Sequence, residues 1–234
     1  MKAVFKRDLR AYFTSPLGYV YLAIFVLVTN LIFWLENMAQ MRADLSGVFS
    51  FAFFALIFTT PLITMRIVSE DLKQKTDQLL FTAPMPLRSI VLGKFFSALS
   101  MFVLVLLLML VQPFVVSLYG AVNVGALLGN YIAILCVAAA YIAIGLFVSA
   151  LTENQLIAAV GALGIYLVLY VLEALSGVIP VGWIRTVFSW VSLSGRYTSI
   201  QQGLFSLSDI VYYISVCALF LFLAVRVLEK KRWA

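Results

Sequence analysis

The residues able to do chemistry in this sequence of 234 residues are few, and one stretch gathers a distinct cluster of them. Between Arg66 and Arg88 stand Glu70, Asp71, Lys73, Lys75 and Asp77, with Thr76 among them and Leu79, Leu80 and Phe81 directly after. Charges followed by apolar anchors suit docking, because the charges meet a partner's charges while the leucines fill a groove. Catalysis finds no support. Histidine is absent, which removes His-based metal sites, Ser-His triads and His-ligated haem. An aspartyl dyad would need two mid-span acids, and the apolar runs hold none. A phosphate-cradling GxxxxGK[ST] is missing too, since Gly93-Lys94 lacks both the earlier Gly and the Ser/Thr. The chain is therefore expected not to be an enzyme, to bind no nucleotide and to hold no metal. Cys136 and Cys217 lie in long apolar runs without CxxC spacing and read as small core residues.

The elements that must position the charged stretch are membrane spans. Hydrophobic residues make up 64% of the chain and charged ones 11%, with a mean hydropathy of +1.09. A soluble domain of this length could not hide so much apolar surface. Uncharged runs of 25, 21 and 58 residues separate Arg10 from Glu36, Asp44 from Arg66 and Lys94 from Glu153. A helical crossing takes about 20 apolar residues, so the third run holds two crossings with a turn at Gly120–Asn130. Six spans result, at about 17–35, 46–66, 94–118, 127–151, 155–174 and 206–228. The last is expected to cross although 16 uncharged residues separate Asp209 from Arg226, because flanking charges can snorkel. With both termini in the cytoplasm, 13 basic residues lie inside and three (Arg42, Arg185 and Arg196) outside. The net charge of +6 thus reflects sidedness in a bilayer rather than a nucleic-acid partner.

Shorter elements join the spans. In residues 1–15, Phe5, Leu9, Tyr12 and Phe13 share one helical face and Lys2, Lys6 and Arg10 another, as in an interfacial helix that Ser15-Pro16 breaks. The run behind it is too long for a signal peptide and reads as a retained span. In the charged stretch, Ser69 is a candidate N-cap, Glu70 and Asp71 occupy the first turn, and Leu72, Thr76, Leu79 and Leu80 line one face of a helix over 70–82. That helix either packs on its own bundle or serves as a handle for a partner. On the outer side, residues 175–208 carry Trp183, Arg185, Trp190 and Arg196 among glycines and Pro180, giving short interfacial helices that form either a lid or an anchor. Inside the spans the polar candidates are Asn30, Gln112 and Glu173, read as pathway residues or interhelical links. Gln112-Pro113 should kink span three, and Gly125-x-x-x-Gly129 permits close helix approach.

This arrangement resembles an ABC-2 type transporter permease, closest to the permease subunits of gliding-motility-like systems. That family carries an acidic pair, a Thr about six residues on, then Leu-Leu and a Pro; Glu70-Asp71, Thr76, Leu79-Leu80 and Pro84 match it. A Gly usually precedes the Thr, where this chain has Lys75. The resemblance implies an all-α membrane protein, multi-pass in the bacterial inner membrane, with an elbow helix, a coupling helix at 70–82 and outer gate helices. It implies two separate ATPase subunits that hold ATP and Mg, and a second permease chain forming a homodimer or a paralogous heterodimer, usually for export. Under it, Glu70, Asp71, Lys73, Thr76, Leu79, Leu80 and Phe81 are the coupling residues, and Trp183, Arg185, Trp190 and Arg196 the outer gate. A non-transporting membrane anchor and a secondary transporter stand as alternatives. Spans one to four are expected to hold no buried charge, which weighs against the second.

The basic asymmetry makes a direct prediction. Reporter fusions after residues 84 and 232 should read cytoplasmic, and fusions near 42 and 190 external; an external C-terminus overturns the six-span topology.

Overall fold

The computed structural model describes residues 1–75, 86–120, 123–178, 192–201 and 207–233. Among them every regular element is helical, and six helices are long and apolar enough to cross a membrane. Helix α1 spans Lys2–Thr14 and stops at Ser15, which is extended (φ −97°, ψ 141°) because the residue before a proline is driven out of the helical region. Ser15 then caps α2 (Pro16–Phe33): its Oγ accepts from the Leu17 N–H at 3.3 Å, with Pro16 in the first turn. A π-helical turn, Trp34–Met38, extends the first span beyond its expected end. Asn37 sits buried on this turn and donates from Nδ2 to the Arg42 and Asp44 carbonyls at 2.9 and 2.7 Å, which closes the loop.

Helix α3 (Ser46–Thr64) runs through Pro61 and leads, by a turn at residues 65–68, into the short α4 (Ser69–Lys73). Here the sequence expectation is corrected twice. The cap is Val68 rather than Ser69. The Ser69 hydroxyl donates backwards to the Met65 carbonyl, while the Val68 and Ser69 N–H groups donate to Ser149 Oγ at 3.1 and 3.0 Å. A side chain from a distant helix thus satisfies the N–H groups at the head of this short helix. The second correction is length. The α-helix ends at Lys73, and Lys75 adopts φ 55°, so no continuous helix covers 70–82. Lys75 stands where the ABC-2 pattern has Gly, and the left-handed region it occupies favours Gly. Periodicity alone sees no break there, since no Gly or Pro marks it. Thr76, Leu79, Leu80 and Phe81 lie outside the described residues.

Helix α5 (Leu87–Met109) begins seven residues before the span limit expected at residue 94, which places Lys94 two turns inside it. At Leu110 the span breaks and resumes as α6 (Val111–Ser117). The cause is Pro113, which has no N–H for the Met109 carbonyl and whose ring crowds it; this is the kink anticipated at Gln112-Pro113. Helix α7 (Val124–Leu151) is the hub of the bundle, packing on α3, α5, α8 (Gln155–Val178), α9 (Leu193–Gln201) and most extensively α10 (Leu207–Trp233). Apolar side chains such as Leu27, Leu31, Leu156, Val160, Val168 and Ile214 stay exposed, as expected of surfaces facing lipid.

Tyrosines hold the hub in register. Tyr141 and Tyr166 stack at 4.5 Å, with the Tyr166 hydroxyl donating to the Tyr141 carbonyl at 2.6 Å. Beside them, a Cβ added at Gly145 would collide with Thr64 of α3 and the Tyr166 hydroxyl of α8. The close approach is therefore made at Gly145, whereas Gly125 is exposed and a Cβ there would meet only Asn123.

Two predictions follow from this packing. Gly145→Ala should lower resistance to denaturant titration in micelles by about 1–3 kcal/mol through overpacking, with Gly125→Ala close to neutral; equal effects would move the close contact elsewhere. Lys75→Gly should raise stability by about 0.5–1 kcal/mol by relieving the left-handed backbone. A loss on that substitution would contradict the observed turn.

Candidate functional site

At the end of the bundle that carries the N-terminus, α1, α4 and α5 meet around a cavity of about 290 Å³. Helix α1 turns Val4, Asp8 and Tyr12 toward the bundle, one acid between two larger groups at i, i+4 and i+8. Val4 packs over Gly93, where an added Cβ would lie 3.2 Å from both the Met1 carbonyl oxygen and Val4 Cβ. Tyr12 donates its hydroxyl to the Ile63 carbonyl at 3.3 Å. The N-terminal helix is therefore tied down by Val4 and Asp8 as well as by Leu9 and Tyr12 of the face expected from its periodicity; Phe5 is half-buried and Phe13 stays exposed.

The charges in this crevice are paired. Lys94 Nζ lies 2.5 Å from Asp71 Oδ2, 2.5 Å from the Ile67 carbonyl oxygen and 3.3 Å from Asp8 Oδ2. Its side chain is 4% exposed. Arg7 Nε donates to Asp8 at 2.7 Å and Arg7 Nη2 to Asp71 at 3.2 Å. Arg66 forks onto Glu70 with two bonds of 2.6 Å and reaches Ser15 Oγ at 2.8 Å. Partial burial pulls the Arg7 guanidinium down, but Asp8 and Asp71 outweigh it and hold Arg7 above its ordinary value. Three cations (Arg7, Arg66, Lys94) thus face three carboxylates (Asp8, Glu70, Asp71) around one crevice. Such a balanced set offers no strong nucleophile, and its bonds already engage the acids. What it can do is hold helices together.

The expectation that spans one to four contain no buried charge is corrected at Lys94. Taken out of water alone, an ammonium would cost several kcal/mol, so the position is tenable only with carboxylates brought to it. The sequence carried one usable signal, Pro86 just ahead of α5, which fixes the helix start and so the depth of Lys94. Asp8 and Ser149 left no such mark.

The remaining candidates are dispersed. Glu70 and Asp71 share α4 with Lys73, which is exposed on its last turn. Gln112, buried on α6, donates to Asn30 of α2 at 3.1 Å and links spans one and three. Glu173 lies on α8, with its side chain outside the described residues. Trp183, Arg185 and Trp190 also lie outside them.

At the far end, α9 is fastened on several sides. The Tyr197 hydroxyl donates to the Phe49 carbonyl at 2.7 Å, Tyr213 of α10 donates to the Leu193 carbonyl at 2.6 Å, and Gln201 donates to the Ser46 carbonyl at 2.6 Å. Arg196 donates to Asp209 at 2.8 Å and lies 4.2 Å from the Tyr212 ring centroid. Asp209 is buried in this pair, so a partner, not snorkelling, accommodates it at the head of span six. Ser50, Phe53, Tyr170, Ser194, Tyr197, Thr198 and Gln201 line a second cavity of about 310 Å³ there.

No curated protein matches the chain. A family model described as ABC-2 family transporter protein does, over residues 3–233, so it takes in the N-terminal helix, α4 and all six spans. The chain is a multi-pass membrane protein that belongs to the ABC-2 family of transporter proteins.

Proposed function

We propose that this chain is the membrane-spanning subunit of an ATP-driven exporter, sitting in a bacterial cytoplasmic membrane with both termini inside. Two separate ATPase subunits dock at α4 and the residues that follow it, Thr76 to Phe81. A second permease chain, either a copy or a paralogue, completes the pathway. ATP and Mg belong to the ATPase subunits, since this chain has no phosphate-cradling loop of its own.

One observation carries the reading. Helix α4 is seated by Ser149 of α7 through the Val68 and Ser69 N–H groups, and by Lys94 of α5 through Asp71. It also continues directly from α3. A force applied to this short helix therefore reaches spans two, three and four without slack. A merely decorative surface helix would have no need of three attachments. The acids of its first turn are already occupied by the chain's own cations, so Lys73 and the Leu79-Leu80-Phe81 run are left to meet the ATPase.

Leu79→Glu with Leu80→Glu should abolish co-purification of the ATPase encoded beside this chain while leaving the amount of inserted permease unchanged. A buried Leu anchor is worth about 1–3 kcal/mol, and a charge pushed into an apolar groove costs more. Undiminished capture from detergent extract would place the docking surface elsewhere. Capture of no ATPase by the unmutated chain would favour a membrane anchor.

A further inference from the structure

We infer that Lys94 is a clasp that makes α1 and α4 move as one body, so that displacement of α4 carries the N-terminal helix with it. The inference rests on the reading of α4 as the site where motion enters.

A lysine ammonium has three N–H donors and no acceptor. Lys94 Nζ has three acceptors around it, and they come from three segments: Asp8 of α1, Asp71 of α4, and the Ile67 carbonyl in the turn between α3 and α4. Two of these contacts are hydrogen bonds, to Asp71 and the Ile67 carbonyl, Asp8 pairs by charge at 3.3 Å, and the side chain has almost no exposure through which water could substitute. If α1 moved away without α4, Lys94 would lose Asp8 while remaining buried. If α4 moved alone, it would lose Asp71. Either separation leaves a desolvated charge short of a partner, which is far less favourable than moving the three together. Arg7 adds a second strand to the clasp by bridging Asp8 and Asp71 directly.

The neighbouring contacts are of a different kind. Val4 over Gly93 and Tyr12 on Ile63 fix α1 against α5 and α3, but neither reaches α4. Arg66 joins Glu70 to Ser15, at the junction of α1 and α2. The charge cluster is therefore the part of this end that ties α4 to α1, and Lys94 is its buried member.

The test uses the full chain in nanodiscs with spin labels at Arg10→Cys on α1 and Lys73→Cys on α4, both exposed positions. Pulsed distance measurement should give one narrow distribution. In Lys94→Met, the ratio of docked to undocked α1 should fall by about tenfold or more, and the distribution should broaden. A second label pair, Thr198→Cys and Val211→Cys at the far end, separates a local clasp from general unfolding and should stay unchanged. An unaltered α1–α4 distribution in Lys94→Met, or equal broadening of both pairs, overturns the inference.

A second arm adds the neighbouring ATPase, trapped with ATP and vanadate. The α1 label, measured to a reference on α9, should shift in the unmutated complex. In Lys94→Met it should keep less than about a third of that shift although the ATPase still binds. A full shift in the variant overturns the clasp. Failure of the unmutated chain to bind the ATPase defeats the exporter reading instead, and the first arm then decides the clasp.

Discussion

A buried ammonium group sets the terms for one whole end of this protein. Lys94 sits two turns into an apolar helix, and nothing on that helix supplies a carboxylate to it. The partners must come from elsewhere in the chain, so the N-terminal helix has to lie across the bundle with Asp8 facing inward, and the turn after α3 has to present Asp71 and the Ile67 carbonyl. Pairs of this kind add little net stability, because desolvation consumes most of the attraction. Their effect is on uniqueness. Few placements of α1 and α4 satisfy all three acceptors, whereas apolar packing alone would tolerate many.

The same demand, that every polar group in an apolar setting find a partner, shapes the remainder. Ser149 takes two N–H groups at the head of α4, Asn37 closes the loop after the first span, and Tyr166, Tyr197 and Tyr213 each place a hydroxyl on a carbonyl of another helix or of its hub partner. In a bilayer such bonds cannot be exchanged for water. They therefore act as register marks, fixing how far one helix slides along the next, while the small face at Gly145 fixes how near α3, α7 and α8 come.

Much of this was legible in the sequence, and the pattern of successes has a physical reason. Span number followed from the gaps between charges, because lipid selects on length and polarity, and both are one-dimensional quantities. The interruption at Pro113 and the stop at Ser15-Pro16 were legible because proline acts through its own covalent structure. Most of the misreadings concern partners distant in the chain. Ser69 looked like a cap because its neighbours fit one, yet the acceptor that wins is Ser149, eighty residues later. Lys94 looked like a span boundary because charges usually are, and Asp209 looked like a snorkelling end for the same reason. Each is instead neutralised across helices. Lys75 hid the end of α4 because a lysine with a left-handed backbone leaves no compositional trace.

The balance of the crevice has a consequence for how the protein is felt from outside. Arg7, Arg66 and Lys94 are matched by Asp8, Glu70 and Asp71 at contact distance, so their fields largely cancel a few ångströms away, well within the screening length of a salt solution. Lys2, Lys6 and Arg10 lie exposed on α1. To a sheet of anionic headgroups, this helix of 13 residues presents those three positive charges, while its opposite face is electrically silent. One short helix thus separates two electrostatic worlds. Added salt screens those three exposed charges long before it disturbs the pairs beneath.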